Sequence, residues 1–315
     1  MTVAEELRIV LTLSGLTQEK LAQRLGVSFA TLNSWARARS VPRPRNKVAI
    51  NDLFRKWTGS TDRSLSPLDV RKDVLKRKVQ KTIGIQDLLR ERRDLLDQLC
   101  LSLTYNTNRL EGSTLTEPET ASILFDNVAL SNKTLVEHLE VKNHQTAFLY
   151  LLSALPKTMT IDEALILKLH SILMNGVQPD AGCYRRHAVR IVGSYVPTAN
   201  YLKISDLMKV LVDDLQRESK DVVSHVAQIH SRFEQIHPFS DGNGRIGRLL
   251  IQAMLLKQNY PPALILQRKK RAYLSALNKA QLKGDFHPLE EFLCDSVLSG
   301  LGLLEGFDSF REGLS

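Results

Sequence analysis

Cysteine is scarce in this chain of 315 residues, which contains three, Cys100, Cys183 and Cys294. Their wide spacing suits neither a disulfide framework nor a structural zinc site, so we expect free thiols in a reducing compartment. Long apolar runs are also missing, because none approaches the roughly 18 residues that span a bilayer. The start MTVAEEL has no basic region typical of a secretory signal. These absences predict a cytoplasmic protein without a membrane segment.

Acidic residues are under-represented in the N-terminal third of the chain. Residues 1–96 contain 20 lysines and arginines against 10 aspartates and glutamates, whereas residues 97–315 contain 23 against 24. The net charge of +9 is therefore carried by the first 96 residues. Concentrated positive charge favours contact with nucleic acid, so the asymmetry indicates a basic module attached to a nearly neutral body.

Two short helices separated by one glycine are predicted within the basic third. The stretch 17-TQEKLAQRLGVSFATLNSWAR-37 begins at Thr17, a good N-cap residue, turns at Gly26 and restarts at Ser28. This pattern is typical of a helix-turn-helix and resembles the phage-repressor type. A three-helix protein-interaction module is the alternative. If the domain binds DNA, the predicted contact residues on the second helix are Ser28, Thr31, Ser34 and Arg37.

The pattern of helices and turns divides the chain into four segments. Residues 1–60 are the predicted helix-turn-helix domain, 61–93 a basic linker helix, 94–306 a second domain and 307–315 a tail. Apolar stripes at helical spacing dominate the second domain, which predicts an all-α protein. One stretch differs: 182-GCYRRHAVRIVGSYVP-197 is β-rich with a Gly-Ser turn, and it predicts a small β-hairpin.

The stretch 237-HPFSDGNGRIGR-248 joins two predicted helices through a glycine loop. The apolar stripe before it predicts a helix that ends before Pro238, and the stripe after it predicts a buried helix that starts near Asn243. Free N–H groups and the positive end of the helix dipole meet at such a start. The loop is therefore a candidate anion site.

Three other interpretations of this stretch explain less of it. Its glycines have the dinucleotide-binding spacing, but a Rossmann site needs a preceding buried strand and an acid about 20 residues later, where Gln267 stands. A zinc site is disfavoured because His237 and Asp241 have no further ligands at a suitable spacing. A plain turn between core helices explains the glycines but not the charged residues around the loop.

A polyphosphate site gives each charged residue of the loop a role. Arg245 and Arg248 lie three apart, and their guanidinium groups suit phosphate oxygens. Asp241 is an oxygen ligand suited to Mg²⁺, while His237 can take the proton from an attacking hydroxyl near neutral pH. Together these groups suit transfer of a nucleotidyl or phosphoryl group to a hydroxyl.

The same stretch resembles the Fic family, whose pattern HPFx(D/E)GNGRxxR it fits at every fixed position. The resemblance implies a helical Fic core with a small β-hairpin flap, preceded here by the helix-turn-helix domain. It implies transfer of AMP from Mg-ATP to a Ser, Thr or Tyr hydroxyl of a protein target, with His237 as the base and Asp241 as the Mg²⁺ ligand. The other implied residues are Gly242, Asn243 and Gly244 for the anion hole, Arg245 and Arg248 for the triphosphate, Tyr273 and Gln281 (where Asn is expected) for the adenine pocket, and Val189, Arg190, Ile191, Val192 and Gly193 for a flap that docks the target.

A second stretch, 107-TNRLEG-112, fits the family's inhibitory pattern (S/T)xxxE(G/N). Thr107 and Glu111 are four apart on one face of a helix predicted at about 94–112, which Gly112 ends. The resemblance implies that Glu111 competes with the γ-phosphate of ATP for Arg248. The chain is thus predicted to be an autoinhibited AMP-transferase. Removal of AMP by the same site, a nucleotide-sensing transcription regulator that binds DNA, and a homodimer stay open.

Overall fold

A computed structural model describes residues 1–60, 62, 64–81, 84–155, 160–191 and 196–312. The chain forms two compact units, Met1–Thr82 and Ile83–Ser315. Throughout the described residues the regular structure is helical, without a strand, which confirms the predicted all-α class. Within this same part of the chain, no helix combines the length and apolarity needed to cross a membrane.

The helix-turn-helix of the first unit is set by local capping. The Thr17 and Ser28 hydroxyls accept the N–H groups of Lys20 and Thr31, and so start α2 and α3 below. Gly26, between these helices, has φ +65°, a conformation that favours glycine. The helices of this unit are α1 (Val3–Ser14), α2 (Gln18–Arg24), α3 (Phe29–Ala36), α4 (Pro44–Thr58) and α5 (Pro67–Lys81).

One apolar core holds the first unit together. Leu7, Leu21 and Leu32, from three different helices, are fully buried in it. Each such leucine contributes about 2 kcal/mol through removal of apolar surface from water. Helix α5 packs on α1 and α4, so this basic helix belongs to the first unit. The segment boundaries predicted at residues 60, 93 and 306 stay predictions.

The second unit is a larger helical domain centred on the junction of α12 and α13. In it α12 packs on α11, α13, α14 and α15, and α7 packs on α9 and α13. Its helices are α6 (Ile85–Glu91), α7 (Arg93–Glu111), α8 (Glu117–Ala121), a π-helical turn (Ser122–Asp126), α9 (Leu135–Ala154), α10 (Glu163–Leu173), a 3-10 turn (Tyr201–Lys203), α11 (Ile204–Leu215), α12 (Val222–Ile236), α13 (Asn243–Lys257), a second 3-10 turn (Gln267–Lys269), α14 (Lys270–Lys283) and α15 (His287–Glu312).

The outermost part of the predicted tail and the predicted turn of the hairpin lie outside the described residues. Helix α15 extends to Glu312, into the segment 307–315 that the sequence predicts as a tail, and residues 313–315 are not described. Residues 192–195, which include Val192 and Gly193 of the predicted flap, are not described either.

The predicted β-hairpin is wrong for residues 182–191 and 196–197, which contain no strand. Backbone groups in and next to this segment bond to the last turn of α12 and to the loop that follows it. The N–H of Arg185 donates to the carbonyl of Pro238 (3.0 Å), and the N–H of Ala199 donates to that of Gln235 (3.3 Å). Because backbone groups must be satisfied somewhere, tertiary contacts with α12 replace the strand pairing that the β-rich composition predicts.

Candidate active site

The loop of residues 237–242 joins α12 to α13, and Asn243 braces it. The Asn243 side chain accepts the N–H of Phe239 (2.9 Å) and donates to the carbonyl of the same residue (2.8 Å). Gly242, the N-cap of α13, has φ +78°, and a Cβ there would lie 2.8 Å from the sulfur of Met174. The resemblance assigns Asn243 to an anion hole; in the structure its amide bonds to the backbone of the loop.

His237 ends α12 in the left-handed conformation, with φ 51°. Its Nδ1 lies 3.2 Å from the carbonyl of Glu234, so the neutral ring donates from Nδ1 and keeps the Nε2 lone pair free. Burial lowers the pKa of His237, and the positive charge of Arg185 adds to this effect. The ring is therefore neutral near pH 7 and can accept a proton through Nε2.

Arg248 is bound by the last turn of α7. Its Nε donates to the Thr107 hydroxyl (2.6 Å) and its Nη2 to Glu111 Oε1 (2.5 Å). Arg248 is 6% exposed. Gly112 ends α7 directly after the glutamate, with φ +108°. Thr107 and Glu111 of the predicted inhibitory pattern thus contact the second arginine of the loop motif, while Gly112 ends the helix that carries them.

The Glu111 carboxylate also lies against the first turn of α13. A Cβ at Gly244 would be 2.5 Å from Glu111 Oε1 and 3.0 Å from Arg248 Nη1, so only glycine leaves room for this pair. The start of a helix attracts an anion through its free N–H groups and its dipole. Glu111 therefore lies where the sequence predicts a bound phosphate.

The charges of this pair determine the pKa of both partners. Burial alone would raise the pKa of Glu111, but the charge of Arg248 and its hydrogen bond outweigh burial and hold that pKa below its usual range. Burial alone would lower the pKa of Arg248, and the charge of Glu111 reverses this and raises it. Both groups are therefore ionised near neutral pH.

Arg245 has different partners from Arg248. It is 2% exposed; its Nη1 pairs with Glu140 Oε1 on α9 (2.7 Å), and its Nη2 lies 3.4 Å from Asp241 Oδ2. The N–H of Gly242 donates to Asp241 Oδ1 (2.6 Å). Arg245 thus orients the Asp241 carboxylate, which is half exposed. Glu140 belongs to no recognisable motif, so it was not predicted as a site residue from the sequence.

A cleft of roughly 530 Å³ opens beside the loop, a volume in the usual range for a small-molecule site. Gly242 and Arg245 do not line it. Residues predicted for the site that do line it are Glu111, Arg190, Ile191, His237, Asp241, Asn243, Gly244, Arg248, Tyr273 and Gln281.

The two residues predicted for the adenine pocket are tied to α12 by their polar groups. The Tyr273 hydroxyl is 2.6 Å from His230 Nε2, and the Gln281 amide donates to the carbonyl of Ser231 (3.1 Å). Burial raises the pKa of Tyr273 and lowers that of His230 to about 3. Asn278 adds an amide to the same cleft.

Three further charged residues of this region were missed from the sequence. Lys270 lines the cleft and donates from Nζ to the carbonyl of Leu110 (2.5 Å), at the end of α7. A signal for it existed, because Lys270 and Arg271 stand in the first turn of α14, where positive charge opposes the helix dipole. Glu234 and Arg185, by contrast, lie in stretches whose pattern gives no such signal.

In the first unit, three of the four predicted DNA-contact residues have partners inside the domain. The Ser28 hydroxyl lies 2.8 Å from the Thr31 hydroxyl, and Ser34 lies 2.7 Å from Ser40. Arg37 is exposed at the end of α3, and Phe29 at its start is 45% exposed. The basic residues that follow α3 and are also exposed are Arg39, Arg43, Arg45 and Lys47.

Two parts of the chain match known families. Residues 160–255 match the Fic/DOC family, and residues 7–55 match the helix-turn-helix family. A protein adenylyltransferase Fic from Drosophila ananassae is 31% identical over 246 residues, which cover 77% of this chain and 48% of that relative. The chain spans about half the length of the curated relatives it matches.

Solved structures agree with this assignment. A Fic-domain-containing signaling protein from Bacteroides thetaiotaomicron has a TM-score of 0.66 at 25% identity, covering 75% of this chain and 98% of that one. Fic-1 from C. elegans has a TM-score of 0.67 at 22% identity, covering 94% and 86%, which supports the fold. The helical fold and the loop motif thus indicate the same family: the chain is a Fic/DOC domain protein with an N-terminal helix-turn-helix domain.

Proposed function

We propose that the second unit transfers AMP from ATP to a Ser, Thr or Tyr hydroxyl of a protein, and that the end of α7 inhibits this transfer. The similarity to protein adenylyltransferases supports the reaction class. The observation that carries the proposal is the ion pair between Glu111 and Arg248, 2.5 Å long, at the first turn of α13. The pair joins the anion loop to the helix that would block it.

In the proposed reaction, His237 takes the proton. A target hydroxyl oxygen attacks the α-phosphorus of ATP, its proton passes to Nε2 of His237, and the bond from the α-phosphorus to the bridging oxygen breaks. AMP stays on the target and pyrophosphate leaves. The free N–H groups at the start of α13 and the Arg248 guanidinium would bind the phosphate oxygens. Because these donors are oriented before the reaction starts, they would stabilise the charge that develops in the transition state.

A divalent cation fits the donor set of this loop. The described residues contain no cluster of three or more metal-ligating side chains, so a site built only of protein ligands is not supported there. Mg²⁺ usually binds one or two carboxylates together with substrate phosphates, and Asp241 is half exposed beside the cleft. We propose that Asp241 holds Mg²⁺, which would neutralise charge on the leaving pyrophosphate.

The inhibitory role of Glu111 follows from competition for one guanidinium. While Glu111 binds Arg248, the γ-phosphate of ATP lacks its cation and meets a carboxylate instead. ATP would then bind in a pose that does not align the α-phosphorus with His237. Both Arg190 and Ile191, from the proposed target-docking flap, line the same cleft, which supports delivery of a target segment there.

Two substitutions test the proposal. Glu111→Gly frees Arg248 from a charge-assisted contact, which is worth about 1.5–3 kcal/mol, so we expect AMP transfer to rise roughly tenfold to a hundredfold. His237→Ala in that background removes the base and should lower transfer by about 100-fold or more. The measurement is incorporation of labelled AMP into the protein itself and into lysate proteins, with each of the four nucleoside triphosphates.

The matched control for Glu111→Gly is Glu117→Gly, an exposed glutamate outside the cleft. Equal transfer by both variants and the wild type would contradict the inhibitory role. If the protein only releases AMP from a modified target, and loses this activity with Glu111, the site removes AMP and Glu111 aligns the attacking water.

A second function, DNA binding by the first unit, is supported by its family match and its charge. We propose that α3 enters the major groove and that the exposed arginines after it contact phosphates. Full-length protein should then bind one DNA sequence more tightly than others, with affinity that falls as salt rises. Equal binding to all sequences would contradict a regulatory role.

A further inference from the structure

Arg185 is a buried arginine whose partners are all backbone carbonyls. It is 2% exposed and forms no ion pair with a carboxylate of the described residues. Its Nε donates to His237 (2.7 Å), its Nη1 to His187 (2.6 Å), and its Nη2 to Ala199 (2.7 Å) and Ile236 (3.4 Å). A buried guanidinium without a carboxylate needs such acceptors, and each of these is fixed in place by it.

Three of its contacts converge on the residues around His237. Besides the carbonyls of Ile236 and His237, the carbonyl of Pro238 accepts the backbone N–H of Arg185 (3.0 Å). The last carbonyls of a helix have no partner within the helix, and a cation is favourable at that end. Arg185 therefore caps α12 from a segment about 50 residues earlier in the chain.

The capped residue has an unusual backbone. His237 is one of four residues other than glycine with positive φ among the described residues. A residue with a side chain stays in this conformation only when its surroundings determine it. The left-handed turn directs the imidazole of His237 toward the cleft. Of the carbonyls at the C-terminal end of α12, that of His237 itself lies nearest to the Arg185 guanidinium.

We propose that Arg185 is a positioning residue for His237: it fixes the backbone of the base in the left-handed conformation and so aims Nε2 at the cleft. The catalytic consequence of this role rests on the proposed function, whereas the contacts of Arg185 with the backbone of His237 do not depend on it. Arg185 does not line the cleft, so it acts through His237 and not on the substrate.

The same guanidinium joins the base to the proposed docking segment. Its acceptors His187 and Ala199 stand on either side of the residues that the resemblance assigns to the flap. One side chain thus holds both flanks of this segment to the carbonyl of the base.

The test compares substitutions of Arg185 in the Glu111→Gly background of the full chain. Arg185→Lys keeps the charge but cannot reach four carbonyls, and Arg185→Gln removes the charge. The matched control is Arg186→Gln, at the exposed neighbouring position. Three quantities are measured: kcat for AMP transfer, KM for ATP, and the ¹⁵N chemical shifts of the His237 ring, identified by their absence in His237→Ala.

We expect kcat to fall by about 10- to 100-fold in both Arg185 variants, because a displacement of about 1 Å at a reacting group can cost 100-fold. KM for ATP should change less than about twofold, since Arg185 makes no contribution to nucleotide binding. The ¹⁵N shifts should change from those of a ring protonated at Nδ1 to those of mixed tautomers. The Arg186 control should match its parent in all three.

Unchanged kcat and ring shifts would overturn the proposal, as would a change confined to KM. If neither Arg185 variant shows a cooperative thermal transition, the residue is needed for folding and the positioning role is wrong. If the Glu111→Gly parent transfers no AMP, the proposed function fails. The ring shifts still decide the role of Arg185, because they need no catalysis.

Discussion

Glu234 is a buried carboxyl whose pKa is raised toward neutral pH. It stands three residues before His237, is 6% exposed, and its Oε1 has no hydrogen-bond partner among the described residues. Burial raises the pKa of Glu234 to about 7, against the opposing charge of Arg248, while Glu111 adds to the rise. A raised pKa means that the folded protein binds this proton more tightly than the unfolded chain does.

The pKa of Glu234 leads to a prediction about stability and pH. The stabilising contribution of its proton is complete below about pH 4.5 and is lost as pH rises through about 7. We expect Glu234→Gln to remove this dependence. Between pH 5 and 8 the unfolding free energy of the wild type should therefore fall by up to about 3 kcal/mol more than that of the variant. Urea unfolding of full-length protein at several pH values measures it.

Glu218→Gln, at an exposed glutamate, is the control and should follow the wild type. Glu111→Gly should weaken the dependence, because it removes the charge that helps to raise the pKa of Glu234. A Glu234→Gln protein with the wild-type slope would show that this carboxyl is ionised in the folded state throughout the range.

At the scale of elements, α7 is held at its C-terminal end by side chains of other segments. The contacts of Thr107 and Glu111 with Arg248 lie in its last turns, and Lys270 binds the carbonyl of Leu110. The Asn106 side chain accepts the N–H of Gln267 (2.8 Å). Loss of one contact should therefore loosen this end of the helix without unfolding the rest.

This arrangement predicts a graded release of inhibition. Thr107→Val keeps the side-chain volume but removes the hydroxyl that accepts from Arg248 Nε. A hydrogen bond to a charged group is worth about 1.5–3 kcal/mol, part of which the guanidinium recovers elsewhere, so we expect AMP transfer to rise about three- to tenfold. The increase should stay below that of Glu111→Gly in the same assay of labelled AMP.

Thr104→Val provides the matched control on the same helix. Thr104 is also buried, and its hydroxyl bonds to His144 Nδ1 (2.8 Å), not to Arg248. It should destabilise the fold by a similar amount and leave AMP transfer at the wild-type level. Equal activation by both variants would mean that general loosening of α7, and not release of Arg248, controls activity.

At the scale of the whole molecule, charge is divided between two parts for which we propose different functions. The first 96 residues carry all of the net positive charge, and exposed arginines follow α3. The proposed DNA contact is therefore mainly electrostatic in affinity, while groove contacts from α3 give the sequence preference.

This division predicts which substitutions weaken DNA binding. Arg37→Ala and Arg39→Ala should each lower the affinity of the full chain for all DNA sequences and reduce the slope of log affinity against log salt by about one. Ser34→Ala should have less effect, because its hydroxyl already bonds to Ser40. Fluorescence anisotropy with labelled duplexes at several salt concentrations measures both quantities.

Lys283→Ala, an exposed lysine of the second unit, controls for loss of one positive charge and should leave binding unchanged. If it weakens binding as much as Arg37→Ala does, net charge and not the helix-turn-helix accounts for the affinity.

Features that depend on near neighbours in the chain could be predicted from the sequence. The caps at Thr17 and Ser28, the end of α7 at Gly112 and the start of α13 after Gly242 are all present in the structure. They follow from hydrogen bonds within one turn and from backbone conformations open to few residue types. The prediction of a β-hairpin was wrong because β-propensity depends on what a strand can pair with.

The sequence by itself determined the all-α class, the helix ends at Thr17, Ser28 and Gly112, the charge division and the loop that presents helix N–H groups to an anion. Tertiary structure alone decided the partners of that loop: Arg245 binds Glu140 105 residues away, and Arg185 holds His237 across 52 residues. Resemblance to a family anticipated the pair of Glu111 and Arg248, 137 residues apart, which spacing could not. Such contacts depend on how helices pack, and packing is set by the whole apolar surface that folding buries, not by any local pattern.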